Sequence, residues 1–276
     1  MIIITRGKVS GKIMAMIIEK GALDVAKKAA REAGRKILPF FGKVETLWAK
    51  QSPTDIISKA DLLAEKIIFS KLSGAFKNFN YLSEEHEPII NGSPYTWVVD
   101  PLDGSIPFVA GLEYWGVSIG LLKENQPMVG VIFIPGKNWL VWASKNQGTY
   151  LNNQKIRVSQ NKDYDKAIIG FDVGHQGFRK EDLLKNIAPQ IESVRYMPSF
   201  ACASFGQVLV AKGVYDVYLH HRAFPWDFCA GTIIVQEAGG KVTNHQGKSL
   251  DWTKKDNMSI LASNKLLHEK VIKTIT

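Results

Sequence analysis

The most informative stretch of this chain is Trp97-Val98-Val99-Asp100-Pro101-Leu102-Asp103-Gly104-Ser105. Its apolar residues predict a buried strand, and the Pro and Gly that follow predict a turn. The turn carries two carboxylates three positions apart, with a backbone carbonyl between them and a hydroxyl beyond them. Two interpretations are open. The stretch either binds a divalent metal and a phosphate together, as in a metal-dependent hydrolase, or it is a surface turn after a strand.

The composition is that of an ordinary globular protein. The 276 residues are 45% hydrophobic and 22% charged, enough for a substantial core in one large or two modest domains. No apolar run approaches the roughly 18 residues that span a membrane, and no continuous hydrophobic region of the secretory type opens the chain. Neither Cys202 nor Cys229 has the spacing of a disulfide framework, so we expect free, buried thiols and a cytoplasmic protein.

The charge balance favours anionic partners. There are 35 Lys and Arg residues against 26 Asp and Glu residues, a formal net charge of +9. The basic residues are scattered singly and in pairs, without the aromatic-glycine pattern of RNA-binding domains. The charge therefore permits three classes of anionic partner, which are nucleic acid, a membrane surface and a small phosphorylated metabolite, and the scatter of the basic residues makes nucleic acid the less favoured one.

The periodicity predicts two helices, then a meander of strands, then an alternation of strands and helices. Residues 1–20 match no element and are predicted to be an N-terminal extension. The first helices are predicted over 22–41 and from a Ser58 cap to Gly74. Strands are predicted over 46–50, 79–83, 95–100, 115–123, 128–135, 139–143, 149–151, 167–171, 215–220, 240–243 and 258–262. Later helices are predicted over 179–194, 201–212 and 226–239 and at the C-terminus. This order predicts a mixed α+β layered sandwich whose halves, residues 21–145 and 146–276, pack as one compact unit.

Acidic residues stand near the ends of several predicted elements. They are Asp61, Glu84, Glu85, Asp100, Asp103 and Asp227. Carboxylates at such ends can converge on one cleft, where oxygen ligands suit Mg²⁺, and a helix N-terminus at Asp227 favours an anion. Taken singly, each has an ordinary explanation. Asp227 could be a helix cap or an N-terminal helix charge, Asp61 could be a first-turn charge, and Glu84-Glu85 could be a solvated pair.

Four motifs nevertheless occur in a specific order: Asp61, Glu84-Glu85, Asp100-Pro101-Leu102-Asp103-Gly104-Ser105, and Trp226-Asp227-(x)₃-Gly231 followed by Glu237-Ala238-Gly239-Gly240. Over about residues 22–262 the chain resembles the inositol monophosphatase family of lithium-sensitive, Mg²⁺-dependent phosphatases. The resemblance implies a layered α/β/α/β/α sandwich of the inositol monophosphatase and fructose-1,6-bisphosphatase type. It also implies a homodimer, with two or three Mg²⁺ ions per site between the two halves.

The resemblance further assigns roles to particular residues. It implies that a first metal is bound by Glu84, Asp100 and the backbone carbonyl of Leu102. A second metal would be bound by Asp100, Asp103 and Asp227. Glu84 also belongs to the implied catalytic set, in which Asp61 and Ser105 orient the attacking water and help to deprotonate it. The implied substrate contacts are Asp103, Gly104, Ser105, His220 and Asp227. Lys50 and the segment around it would close over the site.

Three departures from the family pattern concern the substrate. Ser105 stands where Thr is usual, which preserves the hydroxyl. Ile106-Pro107-Phe108 replaces the more common Thr-Asn-Phe beside the phosphate. His220 stands seven residues before Asp227, where members that act on inositol phosphates tend to carry an acid. A His at that position recognises hydroxyls differently or prefers an anionic substrate.

The implied reaction is hydrolysis of a small phosphate monoester by metal-activated water, without a covalent intermediate. Unaided hydrolysis is extremely slow, and paired Mg²⁺ ions can both neutralise the phosphate and activate water. Inositol 1-phosphate is the leading candidate. Histidinol phosphate, fructose 1,6-bisphosphate and 3′-phosphoadenosine 5′-phosphate are the alternatives, and a basic nucleic-acid-binding protein that keeps the fold is less favoured.

Overall fold

The molecule alternates layers of helix and sheet. A computed structural model describes residues 11–43, 48–49, 56–57, 59–173, 179–252 and 258–275. The helices are α1 (Gly11–Ile37), α2 (Lys59–Ala75), α3 (Ser105–Val109), α4 (Arg179–Asp182), α5 (Ala188–Ile191), α6 (Ala203–Ala211), α7 (Pro225–Glu237) and α8 (His268–Ile275), with a π-helical turn at Leu183–Ile187 between α4 and α5. The strands are β1 (Trp48–Ala49), β2 (Ile56–Ile57), β3 (Asn80–Ser83), β4 (Tyr95–Asp103), β5 (Gly116–Lys123), β6 (Gln126–Ile134), β7 (Trp139–Ser144), β8 (Gly148–Leu151), β9 (Gln154–Ile156), β10 (Ile169–Asp172), β11 (Val217–Ala223), β12 (Lys241–Thr243) and β13 (Met258–Ser263).

The larger sheet has seven strands in the order β3-β4-β5-β6-β7-β8-β9. Strand β3 runs parallel to β4, and every later neighbour is antiparallel. This confirms the predicted meander. Strand β9 was not predicted, because its three residues, Gln154–Ile156, lie at the sheet edge and only the half-buried Ile156 packs against the core.

Both faces of the larger sheet are covered by helices, which explains the continuous apolar run before Asp100. Successive strand residues point to opposite faces. Val99 therefore packs into the core shared with α1 and α2, and Val98 packs into the core shared with α6 and α7. A strand that is buried on both sides shows no polar alternation in its sequence.

The smaller sheet has four strands in the order β10-β11-β13-β12. One of its faces joins the α6 and α7 core through Tyr218 and Ile260. The other face packs Val217 and Leu219 against Val271 of α8. The layers thus run helix, sheet, helix, sheet, helix, which confirms the predicted sandwich.

The N-terminal helix begins well before its predicted start at Ala22. Helix α1 starts at Gly11, so residues 11–20 belong to it and not to an extension. The helical pattern was hidden because Met16 and Ile17 are exposed, although Ile18 contacts the core. The helix ends at Ile37, where Pro39 follows in a 3₁₀ turn.

The predicted division between residues 145 and 146 falls between β7 and β8, which are neighbours in one sheet. Cys202 and Cys229 are free and buried, as predicted. Among the described residues, none of the helices combines the length and the apolar character that a membrane crossing requires. Ser58 and Lys50 lie outside the described residues.

Candidate active site

The turn that follows the apolar run is buried. Asp100 and Asp103 are 2% and 7% exposed, at the end of β4 where its pairing with β5 becomes irregular. The backbone N–H of Leu102 donates to Asp100 Oδ1 at 2.9 Å, which closes the turn around Pro101. The alternative of a solvated surface turn is therefore wrong.

Gly104 occupies a position that requires glycine. Its φ is +85°, and a Cβ added there would lie 2.9 Å from the carbonyl oxygen of Tyr114 and 3.1 Å from Cys202 Cβ. This conformation lets the chain leave β4 and enter the short helix α3 at Ser105. The backbone N–H groups of Gly104 and Ser105 consequently lie at the same turn as the two acids.

Ser105 links the turn to the start of α2. Its Oγ lies 3.0 Å from Asp61 Oδ1 and 3.0 Å from the carbonyl oxygen of Leu102, so its single hydrogen can be donated to either acceptor. Asp61 is 1% exposed. Asp61 is therefore not a solvated charge on the first turn of a helix, and a hydroxyl and a carboxylate are paired beside the acidic turn.

Three other carboxylates lie within electrostatic range of Asp100. The parallel pairing of β3 with β4 continues at Glu84, whose N–H donates to the carbonyl oxygen of Val99 at 3.2 Å. Burial raises the pKa of Asp100 well above its ordinary range, and three neighbouring carboxylates raise it further, those of Glu84, Asp103 and Asp227. Acids from three separate segments of the chain thus share one electrostatic environment.

Two of these acids are also bonded to helix N-termini. Asp103 accepts the backbone N–H groups of Ala203, at 3.2 Å, and of Ser204, at the start of α6. Burial raises the pKa of Asp103, whereas the hydrogen bonds from Ser204 lower it. Asp227 Oδ2 accepts the N–H of Phe224 at 2.8 Å, so it does cap α7. Each carboxylate oxygen has a second lone pair for another partner.

The donor set fits a divalent cation in its chemistry. Buried carboxylate oxygens with a backbone carbonyl among them are the ligands that Mg²⁺ prefers, and a cation would relieve the repulsion that raises the pKa of Asp100. Within the described ranges, no three His, Cys, Asp or Glu side chains are gathered closely enough to bind a metal ion. The bonds of Asp103 and Asp227 to their helices agree with this more open arrangement.

His220 lies on β11 beside the first turn of α7. Its ring meets the ring of Phe228 edge-on, with centroids 5.3 Å apart, and its Nδ1 lies 3.2 Å from the hydroxyl of Tyr218. The ring of the adjacent His221 stacks on His245 instead. The two histidines have different neighbours, as expected for successive residues of a strand.

Sequence reasoning missed two buried acids next to the site. Glu65 follows Asp61 by one helical turn and accepts the hydroxyl of Ser83 at 2.6 Å. Asp172 ends β10 and is 6% exposed. Asp172 directly follows the strand predicted over 167–171. The position at a strand end that indicates Asp100 therefore also indicates Asp172.

The segment Gly116-Val117-Ser118-Ile119-Gly120 matches the Gly-x-Ser-x-Gly pattern of serine hydrolases. In those enzymes the serine sits on a sharp turn between a strand and a helix. Here Ser118 is fully buried in the middle of β5, and its hydroxyl lies 3.4 Å from the carbonyl oxygen of Trp226. It is a packed strand residue and not a nucleophile.

The five-layered sandwich and the acids around the buried Asp100 are those of a phosphatase. The model of the inositol monophosphatase family matches residues 20–276, and the chain belongs to that family. It is accordingly a hydrolase that acts on a phosphate monoester, and the family is generally metal-dependent.

Individual relatives agree with this assignment. The inositol-1-monophosphatase of Caulobacter vibrioides is 33% identical over 259 residues, which cover 90% of this chain and 98% of the relative. The fructose-1,6-bisphosphatase/inositol-1-monophosphatase of Thermotoga maritima is 30% identical over 253 residues, which cover 92% and 95%. The crystal structure of the extragenic suppressor protein suhB from Bartonella henselae superposes with a TM-score of 0.85 at 31% identity, over 92% of this chain and 97% of that one.

Proposed function

We propose that this phosphatase hydrolyses inositol 1-phosphate, or a closely similar small phosphate monoester, in a reaction that depends on Mg²⁺. The observation that supports this most directly is the burial of Asp100 among the carboxylates of Glu84, Asp103 and Asp227. A buried carboxylate among like charges is unfavourable unless a cation neutralises the group. The same cations would also neutralise the negative charge of the substrate phosphate.

The metal-binding residues follow from this cluster. Glu84, Asp100 and the carbonyl of Leu102 would bind one ion, and Asp100, Asp103 and Asp227 would bind another, with Asp100 shared. When bound, the ions supply the positive charge that the phosphoryl oxygens require and lower the pKa of water. The proposal includes inhibition by Li⁺, which the family resemblance implies.

Asp61 and Ser105 orient the attacking water in this proposal. Ser105 Oγ lies 3.0 Å from Asp61 Oδ1, so a water that is hydrogen-bonded to both is placed beside the acidic turn, with a carboxylate to accept its proton. The backbone N–H groups of Gly104 and Ser105 donate to the phosphate oxygens. Because Ser supplies the same hydroxyl as Thr, the change from the usual family residue preserves this function.

The site residues constrain the identity of the leaving alcohol less than they constrain the type of reaction. His220 stands where an acid is usual, which keeps histidinol phosphate, fructose 1,6-bisphosphate and 3′-phosphoadenosine 5′-phosphate as alternatives. The double name of the Thermotoga maritima relative favours the bisphosphate among these. We also propose a homodimer, which sedimentation velocity would test, and a cytoplasmic location, which rests on the free thiols.

Phosphate release from this panel of esters, measured with Mg²⁺ and then with EDTA, tests the proposal. We expect activity with Mg²⁺ and none with EDTA, and Asp100→Asn should lower it about 100-fold or more. Asp24→Asn, at an exposed position of α1, is the matched control and should keep full activity. Full activity in EDTA would refute the metal requirement. Salt-dependent retention of RNA that survives Asp100→Asn, without phosphate release, would favour the basic binding protein instead.

A further inference from the structure

We propose that Gln207 is a positioning residue for the metal site, because it joins the first turns of α6 and α7 and thereby sets the separation of the Asp103 and Asp227 carboxylates. These are the two acids that the proposed function assigns, together with Asp100, to one metal ion. The inference rests on that proposed function and deepens it, since it names a residue outside the acidic turn that controls metal binding there. Gln207 acts through the two helices and touches neither the metal nor the substrate.

The side chain of Gln207 is fully buried between α6 and α7. Its Nε2 donates to the carbonyl oxygen of Ala203 at 3.1 Å, one turn earlier in α6. The same nitrogen donates to the carbonyl oxygen of Asp227 at 2.8 Å, in the first turn of α7. An amide nitrogen carries two hydrogens, so both bonds form together and one side chain connects the two helices.

The surroundings of Gln207 fix the orientation of its amide. Both partners of the amide nitrogen are carbonyl oxygens, which only accept hydrogen bonds, so the nitrogen must face them. The amide oxygen then faces Gly231 of α7, where an added Cβ would overlap Oε1. Among the described residues, none donates a hydrogen bond to Oε1. The hydrogen-bonding role of this side chain is therefore that of a double donor.

The Ala203 end of this bridge leads to Asp103. The backbone N–H of Ala203 donates to Asp103 Oδ1 at 3.2 Å, and the N–H of Ser204 donates to Oδ2. The first turn of α6 thus holds the Asp103 carboxylate with its N–H groups, while a carbonyl of the same turn accepts from Gln207. A shift of α6 against α7 would therefore carry the Asp103 carboxylate with it.

The Asp227 end of the bridge is more direct. Gln207 binds the backbone carbonyl of Asp227 itself, and Asp227 Oδ2 accepts the N–H of Phe224 at 2.8 Å. The backbone and the side chain of this acid are both fixed at the start of α7. The carboxylates of Asp103 and Asp227 both raise the pKa of Asp100. The two ends of the bridge consequently lead to the same acidic cluster.

Loss of the bridge should affect metal binding more than folding. Helices α6 and α7 also pack through apolar side chains of one core, among them Val208 and Ile234, and that packing does not depend on Gln207. Metal affinity depends more steeply on geometry, because the ligands must be held at the right separation before the ion binds. Removing a group that orients metal ligands typically lowers metal affinity about 10- to 100-fold.

Gln207→Leu tests this role, since leucine fills a similar volume and donates no hydrogen bond. Electron paramagnetic resonance of free Mn²⁺, titrated into the protein without substrate, measures binding independently of activity. We expect Gln207→Leu to bind Mn²⁺ about 10-fold more weakly than the wild type. The Mg²⁺ concentration for half-maximal phosphate release should rise by a similar factor. At saturating Mg²⁺, kcat should change less than about threefold, because mass action restores occupancy. Unchanged Mn²⁺ binding would overturn the proposal.

Gln190→Leu is the matched control, because it also removes a fully buried glutamine. Gln190 lies on α5, where its Oε1 accepts the hydroxyl of Thr274 of α8 at 3.0 Å. Gln190→Leu should keep wild-type Mn²⁺ binding, whatever its effect on the melting temperature. Equal weakening in Gln190→Leu and Gln207→Leu would show that loss of any buried amide is sufficient, and would overturn the proposal.

Gln207→Met separates hydrogen bonding from shape and replaces Gln207→Leu if that variant does not fold. Methionine has the length and flexibility of glutamine but lacks its donors. Gln207→Met should weaken Mn²⁺ binding as Gln207→Leu does, and wild-type binding by Gln207→Met would overturn the proposal. The wild type distinguishes this inference from the proposed function. A wild type that binds no Mn²⁺ and releases phosphate in EDTA would refute the metal requirement itself, whereas a wild type that binds Mn²⁺ no more tightly than the Gln207 variants would refute only the role of Gln207.

Discussion

Replacing Gly104 with alanine tests whether the backbone of the acidic turn is as constrained as the structure indicates. The new Cβ would lie 2.9 Å from the carbonyl oxygen of Tyr114, 3.1 Å from Cys202 Cβ and 3.3 Å from Trp115 Cα. Two of these atoms belong to the backbone, and the third is the Cβ of a buried side chain, so none of them can swing away. The turn itself must therefore move.

The cost has two parts. A positive φ costs alanine about 1–2 kcal/mol relative to glycine, and overpacking a close-packed site adds about 1–3 kcal/mol. Gly104→Ala should thus lower the free energy of unfolding by about 2–5 kcal/mol. Gly92 has a φ of +69°, and a Cβ there meets no described atom within 4 Å. Gly92→Ala should therefore lower the free energy of unfolding only by the cost of the positive φ, about 1–2 kcal/mol.

Urea unfolding of both variants measures these losses, and the difference between them isolates the steric contact. Gly104→Ala should also lower kcat/KM about 10-fold or more, because the N–H groups that we propose to bind the phosphate move with the turn. Gly92→Ala should keep wild-type activity. Equal stability of the two variants, or full activity of Gly104→Ala, would refute the reasoning.

Three other predictions concern buried titratable groups. In metal-free protein, the raised pKa of Asp100 contributes stability that is full below its ordinary pKa of 3.8 and is lost as pH rises through the raised value. In EDTA at pH 8, Asp100→Asn should therefore melt at a higher temperature than the wild type, and a lower one would contradict this. Burial lowers the pKa of His268 from 6.5 to about 4, so wild-type stability falls as pH decreases across that window. Urea unfolding of His268→Gln should show a smaller fall in stability with decreasing pH than the wild type shows. An unchanged fall would show that His268 is not its source. Burial raises the pKa of the Cys229 thiol, so a thiol reagent should label it only after unfolding, and prompt labelling of the folded protein would count against its burial.

The order of helices and strands was largely predictable because Gly, Pro and Asn separate the elements of this chain. The exceptions have physical causes. Strand β9 forms by pairing with β8, and only Ile156 of its three residues packs against the core. The first turns of α1 carry exposed Met16 and Ile17, which obscure the apolar stripe that continues from Leu23. In both places, contacts with the rest of the molecule outweigh the local pattern.

The sequence by itself determined that Asp100, Asp103, Gly104 and Ser105 share one turn, because residues so close along the chain cannot separate. It also indicated the oxygen chemistry of the site, since carboxylates and a carbonyl are what the turn contains. Only the tertiary structure decided that this turn is buried and that Asp61 contacts its Ser105. It alone joined Ala203 and Asp227 through Gln207. Such contacts depend on how two sheets and the helices between them pack, and no local spacing encodes that arrangement.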